Sequence, residues 1–366
     1  MLLELLALTD VRNYAELEFT PVRGLNLLIG DNAQGKSNLL EAMAMLGTGR
    51  SFRTTHDRDI IRADAGAATI SGRARSRAGT LQLACSIARG PGNVRKRYTV
   101  NGGPVRYARY LGRAQVVTFA PRDLDVIVGP PSRRRAFLNA ALSQERPAYY
   151  PALASYTRTV EQKRALLRAP EPVDSDLLAI YDERLVRSGA ELMSGRRSYV
   201  AVLSSEAERA YAAWASDGPL EVRYAPNVDL GPEGDADPAE AFELRLRAAR
   251  PLERSGRRVL AGPHRDDVTI RLAGRDLSIF GSQGQQRSAV LALKLAEYRV
   301  SAANAGESPL LLLDDVLSEL DSLRQSAFLA GIADVEQAFV TATTAPPEIA
   351  AAATYRVVAA ELNRIG

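Results

Sequence analysis

The chain contains few of the residues from which disulfides and zinc sites are built. Its 366 residues include a single cysteine, Cys85, so no disulfide can form within the chain, which suits a reducing cytoplasm. Two histidines, His56 and His264, are too few to complete a zinc cluster with that cysteine. The first ten residues carry Glu4 and no basic cluster, which is not typical of a signal peptide. We therefore expect a cytoplasmic protein.

Long apolar runs, internal repeats and long heptad runs are also missing. The longest apolar stretches, such as residues 310–313, are far shorter than a membrane span. The lack of heptads argues against an extended coiled coil. We expect no membrane association.

Acidic residues are absent from one long segment, residues 65–121. The same segment holds ten cations, although the formal net charge of the whole chain is only +4. These cations are Arg73, Arg75, Arg77, Arg89, Arg95, Lys96, Arg97, Arg106, Arg109 and Arg113, with Tyr98, Tyr107 and Tyr110 between them. One interpretation is a surface that contacts the phosphates of duplex DNA without reading bases. The other is a solvated sheet face whose cations pair with acids elsewhere.

The apolar pattern predicts a split α/β organisation. Residues 1–29 predict a hairpin and then a buried strand, and residues 36–46 predict a helix. Short strands with Gly- and Pro-containing turns are expected over residues 66–120. A helical pattern covers residues 132–216, and residues 226–240 are typical of a surface loop.

The second half of the chain returns to the α/β pattern. Near residue 268 the segments VTIRL and DLSIF predict two strands around a turn at Gly274, and residues 285–302 predict a long helix. Strands are then expected at LLLLDD, QAFVTAT and YRVVAA, with a helix near Ser322.

Residues 30–37, GDNAQGKS, match the phosphate-binding pattern G-x-x-x-x-G-K-[ST]. The motif lies between a predicted strand and a predicted helix, where backbone N–H groups and the helix N-terminus can face phosphate oxygens. Lys36 would contact the β- and γ-phosphates, and the Ser37 hydroxyl would bind Mg²⁺. The alternative is a chance match in a turn. The predicted ATP-binding residues are Gly30, Asp31, Asn32, Ala33, Gln34, Gly35, Lys36, Ser37 and Asn38.

Two further motifs lie near the other end of the chain. The apolar strand at residues 310–313 leads into Asp314, a candidate Mg²⁺ ligand, and Asp315, a candidate catalytic base. An ordinary strand with a polar end is the alternative. About 28 residues earlier, Ser282, Gln283, Gly284 and Gln285 open the long helix and form a candidate signature, a weak signal when taken alone.

The three motifs in this order resemble the ABC-type ATPases, and their wide separation resembles the SMC-like group. The resemblance implies that the signature of one protomer caps ATP held by the other. It therefore implies an ATP-dependent homodimer with two composite sites, in which Lys36, Asp315 and Ser282 serve catalysis. ABC-type ATPases usually carry glutamate at the position of Asp315, and the shorter aspartate favours slow turnover.

Additional motifs narrow the resemblance to the RecF family over residues 1–345. They are Arg12-Asn13-Tyr14, the segments NLLE (38–41) and GTGRSFRT (47–54), the arginine motif PSRRRAFLN (131–139), GPHRDD (262–267) and DDVLSELD (314–321). The implied fold is an α/β, ABC-type ATPase head, with a mixed sheet, a P-loop and an antiparallel β region, plus an inserted, mainly helical lobe. The implied division is 1–125 and 256–366 for the ATPase domain and 126–255 for the lobe.

The resemblance also implies a function in recombinational repair and replication-fork maintenance. The protein would bind double-stranded DNA, including gapped junctions, hydrolyse ATP slowly when stimulated by DNA, and help load recombinase. RecR, and RecO as a second candidate, would be its partners, and it would associate with the nucleoid. The resemblance further favours DNA contacts by Arg73, Arg75, Arg95, Lys96, Arg97, Arg106 and Arg109.

The sequence departs from the family pattern at two places, and it differs from ABC transporters at a third. Arg122 follows Pro121, and Pro130 follows Gly129, where other residues are usual. ABC transporters carry a switch histidine after the strand that follows the acidic pair, but residues 340–344 here are VTATT. A threonine hydroxyl could serve near the γ-phosphate instead.

Two rival functions stay open. An ABC transporter subunit would need a surface that couples to a membrane partner, which neither the arginine motif nor the basic segment supports. A DNA clamp that does not hydrolyse ATP is the other rival.

Among single residues, Trp214 is expected in the core and Cys85 as an inert apolar residue. For His264, Arg50 and Arg53, a phosphate or partner contact and a structural role both remain open.

Overall fold

The computed structural model describes residues 1–231, 235–316, 322–346 and 349–366. The strands are β1 (Leu2–Val11), β2 (Tyr14–Phe19), β3 (Gly24–Ile29), β4 (Ala67–Ser76), β5 (Gly79–Arg89), β6 (Val94–Val100), β7 (Gly103–Val105), β8 (Val116–Phe119), β9 (Leu220–Ala225), β10 (Asp267–Leu272), β11 (Arg275–Asp276), β12 (Leu310–Asp314), β13 (Gln337–Ala342), β14 (Ala353–Val358) and β15 (Glu361–Arg364). The α-helices are α1 (Lys36–Thr48), α2 (Tyr107–Tyr110), α3 (Asp125–Val128), α4 (Pro131–Glu145), α5 (Tyr149–Arg168), α6 (Ser175–Ala212), α7 (Pro238–Gly256), α8 (Leu277–Phe280), α9 (Gln283–Ala305) and α10 (Ser322–Gly331).

The chain divides into two compact units. The first comprises Met1–Leu124, Arg209–Ser216 and Arg287–Gly366, and the second comprises Asp125–Glu208 and Asp217–Gln286. The boundary expected after residue 255 lies inside the second unit, because β10 pairs with β9 in antiparallel register. A strand pair cannot be cut without exposing its backbone groups, so β10 stays with the insertion.

Two six-stranded sheets form the first unit. One is antiparallel, with the order β2-β1-β4-β5-β6-β7. The other has the order β15-β14-β3-β13-β12-β8 and is parallel except for the pair between β14 and β15. This combination of a mixed sheet and an antiparallel region is the expected fold class.

Helix α1 connects the two sheets. It contacts β1, β4 and β5 of the antiparallel sheet and β8, β12 and β13 of the mixed sheet. Nearly all of its side chains are buried, from Lys36 and Leu39 to Gly47. A helix that is buried on nearly every side requires neighbours on every side, and the two sheets supply them. The N-terminus of α1, where the phosphate loop ends, is therefore held between the two sheets.

The second unit is mainly helical, with α4, α5, most of α6, α7 and a three-stranded sheet in the order β11-β10-β9. Its core includes a buried arginine, Arg196, which is 2% exposed. The Arg196 guanidinium donates to Asp266 Oδ2 and to the Pro263 carbonyl, each at 2.7 Å. A buried ion pair of this kind fixes the segment that carries Asp266, since an unpaired charge there would be very costly.

One predicted strand is wrong. Of the segment DLSIF (276–280), only Asp276 is in a strand, at the end of β11, and residues 277–280 form helix α8. The Asp276 carboxylate accepts a hydrogen bond from Ser278 N at 2.9 Å and so caps that helix, which ends the strand. The other predicted strands and helices are present, and Trp214, at 7% exposure, and Cys85, at 0%, are buried as expected.

Candidate functional site

The phosphate loop leaves β3 and enters α1. Tyr14 OH donates to the Gly35 carbonyl at 3.2 Å, and Asn13 Nδ2 donates to the Gln34 carbonyl at 3.2 Å. Gly35 has φ of +121°, and a Cβ there would lie 2.9 Å from Tyr14 Oη and from Asn13 Nδ2. Only glycine fits this position. Asn13 and Tyr14 of the Arg12-Asn13-Tyr14 motif therefore hold the phosphate loop in place by hydrogen bonds to its carbonyl groups. The sequence did not reveal this role.

Lys36 points back into its own loop. Its Nζ donates to the Gly30 carbonyl and, at 2.8 Å, to the Asp31 carbonyl. Burial lowers the pKa of Lys36, while Asp315, Asp31 and Asp314 act in the opposite direction. A partly buried ammonium facing the centre of a phosphate loop is placed to neutralise an anion.

Ser37 and Asp314 are brought together across 277 residues. The Ser37 hydroxyl donates to Asp314 Oδ1 at 2.6 Å, and Asp314 is the last residue of the buried strand β12. Burial raises the pKa of Asp314, and hydrogen bonds from Ser37 and Thr341 oppose that rise. A hydroxyl beside a carboxylate is an oxygen donor set of the type that Mg²⁺ takes.

Asp315 follows β12 directly and is exposed. Its φ of +53° is in the left-handed region, where residues other than glycine are uncommon. Its backbone N–H donates to Thr341 Oγ1 at 2.9 Å. Thr343 and Thr344 are exposed, and Glu319, the next candidate for a base, lies outside the described residues.

Glu41, a buried residue of α1, binds side chains on both sides of the phosphate loop in the sequence. This residue, 1% exposed, accepts two hydrogen bonds from the Arg12 guanidinium, both at 2.8 Å, and one from Ser51 Oγ. Arg53 lies 3.6 Å from Glu41 and donates to Asn38 Oδ1 at 2.6 Å. Arg53 is therefore held beside a predicted nucleotide-binding residue. Arg50 instead lies over the Tyr107 ring, 5.5 Å from its centroid.

The turn between β14 and β15 is hydrogen-bonded to the phosphate loop. Gln34 Oε1 accepts from Ala359 N at 2.7 Å, and the Gln34 carbonyl accepts from Ala360 N at 3.0 Å. This turn was not anticipated, since β15 was not predicted at all. An Ala-Ala turn carries no sequence signal for such a contact, because its backbone makes both bonds.

The signature belongs to the second unit. Ser282 N donates to Gln285 Oε1 at 2.9 Å, and Gln285 N donates to Ser282 Oγ at 3.3 Å. This reciprocal pair is a capping box that opens α9. Ser282, Gln283 and Gly284 are exposed, and a Cβ on Gly284 would meet no atom within 4 Å. The signature is thus an exposed, capped helix N-terminus.

The basic segment lies largely on the antiparallel sheet, and four of its arginines share one face. The register aligns Thr69 with Ser86 and Ser86 with Arg97, and the odd-numbered residues of β4 share that face. Arg73, Arg75, Arg95 and Arg97 therefore line a common surface, which we term the basic outer face. Arg106 and Arg109 are exposed around α2.

Not all of these cations are equally available. Lys96 points to the opposite side of the sheet, where it donates to the Gly49 carbonyl at 2.9 Å and pairs with Asp57. Arg73 and Arg75 both pair with Glu4. Arg95 and Arg97 have no acidic partner among the described residues. The alternative interpretation, in which the cations pair with acidic residues elsewhere, therefore applies to Arg73, Arg75 and Lys96. It does not apply to Arg95 or Arg97.

The arginine motif and the GPHRDD motif bind each other within the second unit. Arg134 makes two hydrogen bonds to Asp267, at 2.6 and 3.0 Å, and Arg135 donates to the Asp266 carbonyl at 2.7 Å. His264 Nδ1 lies 2.7 Å from Tyr156 Oη, and burial lowers the pKa of His264 to about 4. His264 is neutral at physiological pH and has a structural partner.

Comparisons with known proteins agree with this architecture. A family model described as the RecF/RecN/SMC N terminal domain matches residues 2–364. The DNA replication and repair protein RecF of Symbiobacterium thermophilum is 43% identical over 350 residues, covering 94% of this chain and 92% of that protein. RecF of Geobacillus thermodenitrificans is 36% identical over 349 residues, covering 94% and 93%.

Solved structures agree as well. A structure of the recombination mediator protein RecF-ATP in the RecFOR pathway is 31% identical, covers 100% of this chain and 97% of that one, and superposes with a TM-score of 0.90. An SMC head bound to the C-winged helix domain of ScpA shares the fold alone, at 15% identity, 99% and 96% coverage and a TM-score of 0.58. No helix among the described residues is long and apolar enough to cross a membrane.

The two-sheet fold, the phosphate loop and the acidic end of β12 define an SMC-like ATPase of the RecF, RecN and SMC class. Within that class, the chain belongs to the RecF family, as its identity to RecF proteins over nearly the whole chain establishes.

Proposed function

We propose that this chain is an ATP-driven switch that closes as a homodimer on double-stranded DNA and reopens after slow hydrolysis. The observation that carries the proposal is the convergence of Lys36, Ser37 and Asp314 at the N-terminus of α1, with Ser37 Oγ 2.6 Å from Asp314 Oδ1. Together they supply the charge and the oxygen ligands that Mg²⁺-ATP requires. The solved relative with ATP supports the choice of nucleotide.

In this proposal each side chain has a distinct role. Residues 30–38 bind the phosphates through backbone N–H groups, and Lys36 neutralises the charge of the β- and γ-phosphates. Ser37 and Asp314 would hold Mg²⁺, which supplies further charge neutralisation. Asp315 orients and deprotonates the attacking water. Its exposed position at the end of a buried strand suits a group that must meet a substrate.

The signature acts on the nucleotide of the partner protomer. Ser282 to Gly284 form an exposed helix N-terminus, and such a terminus attracts anions. In a twofold dimer each signature contacts the other protomer's nucleotide, which yields two equivalent sites.

Replacing Ser282 with arginine is expected to block the dimer and to spare nucleotide binding by the monomer. The side chain would fill the exposed helix N-terminus and clash at the joint between protomers. Analytical ultracentrifugation gives the dimer fraction, and equilibrium dialysis with ATP gives monomer affinity. The matched control is Ser278→Arg, which alters an exposed serine of α8 outside the signature. Loss of monomer affinity in Ser282→Arg would mean that the signature acts on its own protomer's nucleotide.

The basic outer face is the proposed surface for duplex DNA. Arg95 and Arg97 share their face with small residues of the neighbouring strands, since Arg97 is opposite Ser86 and Arg95 is opposite Ala88, and small neighbours leave room for a phosphate backbone. Contacts of this type bind phosphates and carry no base specificity. Arg106 and Arg109, which are exposed at α2, are proposed to contact DNA phosphates as well. Lys96 would contribute only through the net positive charge of the sheet.

Changing Arg95 and Arg97 to glutamate is expected to weaken duplex binding and its salt dependence. Each lost phosphate contact lowers the slope of log K against log salt by about 0.9, so two contacts lower it by roughly 1.8. Fluorescence anisotropy across a salt series measures the slope. The control reverses Arg187 and Arg247, exposed cations on α6 and α7. An unchanged slope for the β6 variant would exclude this strand from the DNA interface.

The cellular role follows from the family. We propose that the dimer acts in replication and recombinational repair at gapped junctions in the nucleoid, where it helps to load recombinase with RecR and RecO as partners. The relative described as a recombination mediator in the RecFOR pathway supports this assignment.

Phosphate release tests the proposal against its rivals. An ATP switch on DNA is expected to release phosphate slowly and faster with duplex DNA, whereas a clamp without hydrolysis would release none. The variant Asp315→Asn provides the background rate. A basal rate that duplex DNA does not change would contradict the proposed coupling.

A further inference from the structure

One buried hydroxyl touches both acidic residues of the candidate nucleotide site. Thr341 lies on β13, is 1% exposed, and is paired in parallel register with Asp314 of β12. Its Oγ1 lies 3.1 Å from Asp314 Oδ1 and 2.9 Å from the backbone N of Asp315. The hydroxyl therefore donates to the carboxylate of one residue and accepts from the peptide of the next.

The donor side of this arrangement is settled by chemistry. A hydroxyl has one proton, and the charged Asp314 oxygen at 3.1 Å is a better acceptor than the Leu313 carbonyl at 3.4 Å. Asp314 Oδ1 thus receives two hydroxyls, from Ser37 and from Thr341. Two bonds to one oxygen fix the direction in which this carboxylate points.

Thr341 Oγ1 also acts as an acceptor, for the backbone of Asp315. Asp315 has φ of +53°, in the left-handed region that residues other than glycine adopt uncommonly, although aspartate does so more often than most. The hydrogen bond from Asp315 N to Thr341 Oγ1 helps to hold the backbone in this conformation. Without an acceptor, that N–H would have to find water or turn away, and the direction of the Asp315 side chain would change with it.

We propose that Thr341 is a positioning residue for ATP hydrolysis, whose hydroxyl holds the Asp314 carboxylate and the Asp315 backbone in one fixed geometry. The inference rests on the proposed function, in which Asp315 acts on the attacking water. Thr341 itself is buried on β13 and acts only through these two residues. The hydroxyl, and not the methyl group, carries the role.

Substitution with valine removes the hydroxyl and keeps the shape. For Thr341→Val we expect ATP turnover with duplex DNA to fall on the order of 100-fold, since small misplacements of a reacting group have effects of this size. ATP affinity is expected to change less than about threefold, because Ser37 still donates to Asp314 Oδ1 at 2.6 Å and because Lys36 and the loop backbone are untouched. Thr341→Ser retains the hydroxyl and is expected to restore turnover to within a few-fold of the wild-type rate.

The experiment uses the full chain with Mg²⁺-ATP and duplex DNA, and measures phosphate release, ATP affinity and the thermal midpoint for each variant. Thr118→Val is the matched control, because Thr118 occupies β8 on the other side of β12, opposite Leu312. Slow turnover in Thr341→Val with rescue by serine supports the inference. Wild-type turnover in Thr341→Val, or a serine variant as slow as the valine variant, would overturn it. Failure of the proposed function is distinguishable from failure of the inference about Thr341. If the wild type itself had no ATPase activity, the proposed function would be overturned together with the inference, whereas an active wild type with an equally active Thr341→Val would overturn the inference alone.

Discussion

Replacing Lys36 with methionine is expected to abolish ATP-driven dimerisation at ordinary protein concentrations. The ammonium faces the interior of the phosphate loop, where it donates to the Asp31 carbonyl at 2.8 Å. A hydrogen bond to a charged group contributes about 1.5–3 kcal/mol, or roughly 10- to 150-fold in affinity. Because the proposed dimer contains two nucleotides, the loss counts twice, and the dimerisation constant should fall by roughly 10²- to 10⁴-fold.

The measurement is the dimer fraction, determined by analytical ultracentrifugation at one fixed ATP concentration that just saturates the wild type. Arg23→Met is the matched control, because it removes an exposed cation just before Gly24, at the opposite end of β3 from the phosphate loop. The control should dimerise like the wild type. Strong ATP-dependent dimerisation of Lys36→Met would contradict the composite site.

Replacing Asp315 with asparagine is expected to stop hydrolysis and to trap the closed, DNA-bound dimer. The amide has the size of the carboxylate but cannot accept the proton of the attacking water, and loss of a general base costs about 10²- to 10⁴-fold in rate. ATP affinity should be nearly unchanged, since Asp315 is exposed and lies beyond the Ser37–Asp314 pair. Phosphate release gives the rate, and the dimer fraction on duplex DNA reports the trapped state.

The same substitution at the neighbouring residue, Asp314, is expected to have a different effect. Asp314 is buried and accepts from Ser37 Oγ, so Asp314→Asn should weaken Mg²⁺-ATP binding itself and reduce dimerisation. The two variants differ by one position and should fail at different steps. If Asp315→Asn hydrolysed ATP at the wild-type rate, the base would have to be another group, with Glu319 or Thr343 as the next candidates.

Sequence patterns predicted the parts of the site that depend on local chemistry. The phosphate loop and the acidic strand end have fixed spacings because phosphate and Mg²⁺ demand them, so Lys36, Ser37 and Asp314 could be named in advance. A buried parallel strand such as LLLLD also has a strong pattern. Ser37 and Asp314 were each predicted to bind Mg²⁺, which requires the two side chains to lie close together, and in the structure they are hydrogen-bonded.

The contacts that hold the site in place could not be predicted in this way. Thr341 has an ordinary strand pattern, and only the register between β12 and β13 brings it to Asp314. The backbone of the turn at Ala359 makes its bond to Gln34, so side-chain identity gives no hint. Lys96 was grouped with Arg95 and Arg97 by charge, but strand alternation turns it to the other side of the sheet.

The arginine motif illustrates the same limit in the second unit. The run of basic residues at 133–135 was identified only as part of a family motif, without a role, and in the structure Arg134 and Arg135 bind the segment at residues 266–267. Pairing across more than 130 residues depends on tertiary packing, which no local pattern encodes. The structural use of these motif residues is therefore a result of the fold.

Sedimentation of the full chain with and without ATP and duplex DNA measures whether ATP drives dimerisation on DNA. We expect a monomer without nucleotide, and a dimer bound to duplex DNA when ATP and Mg²⁺ are present. The dimer should disappear as phosphate is released and persist in Asp315→Asn. A protein that stays monomeric with ATP, Mg²⁺ and duplex DNA, or one that dimerises equally without nucleotide, would not be an ATP-driven switch.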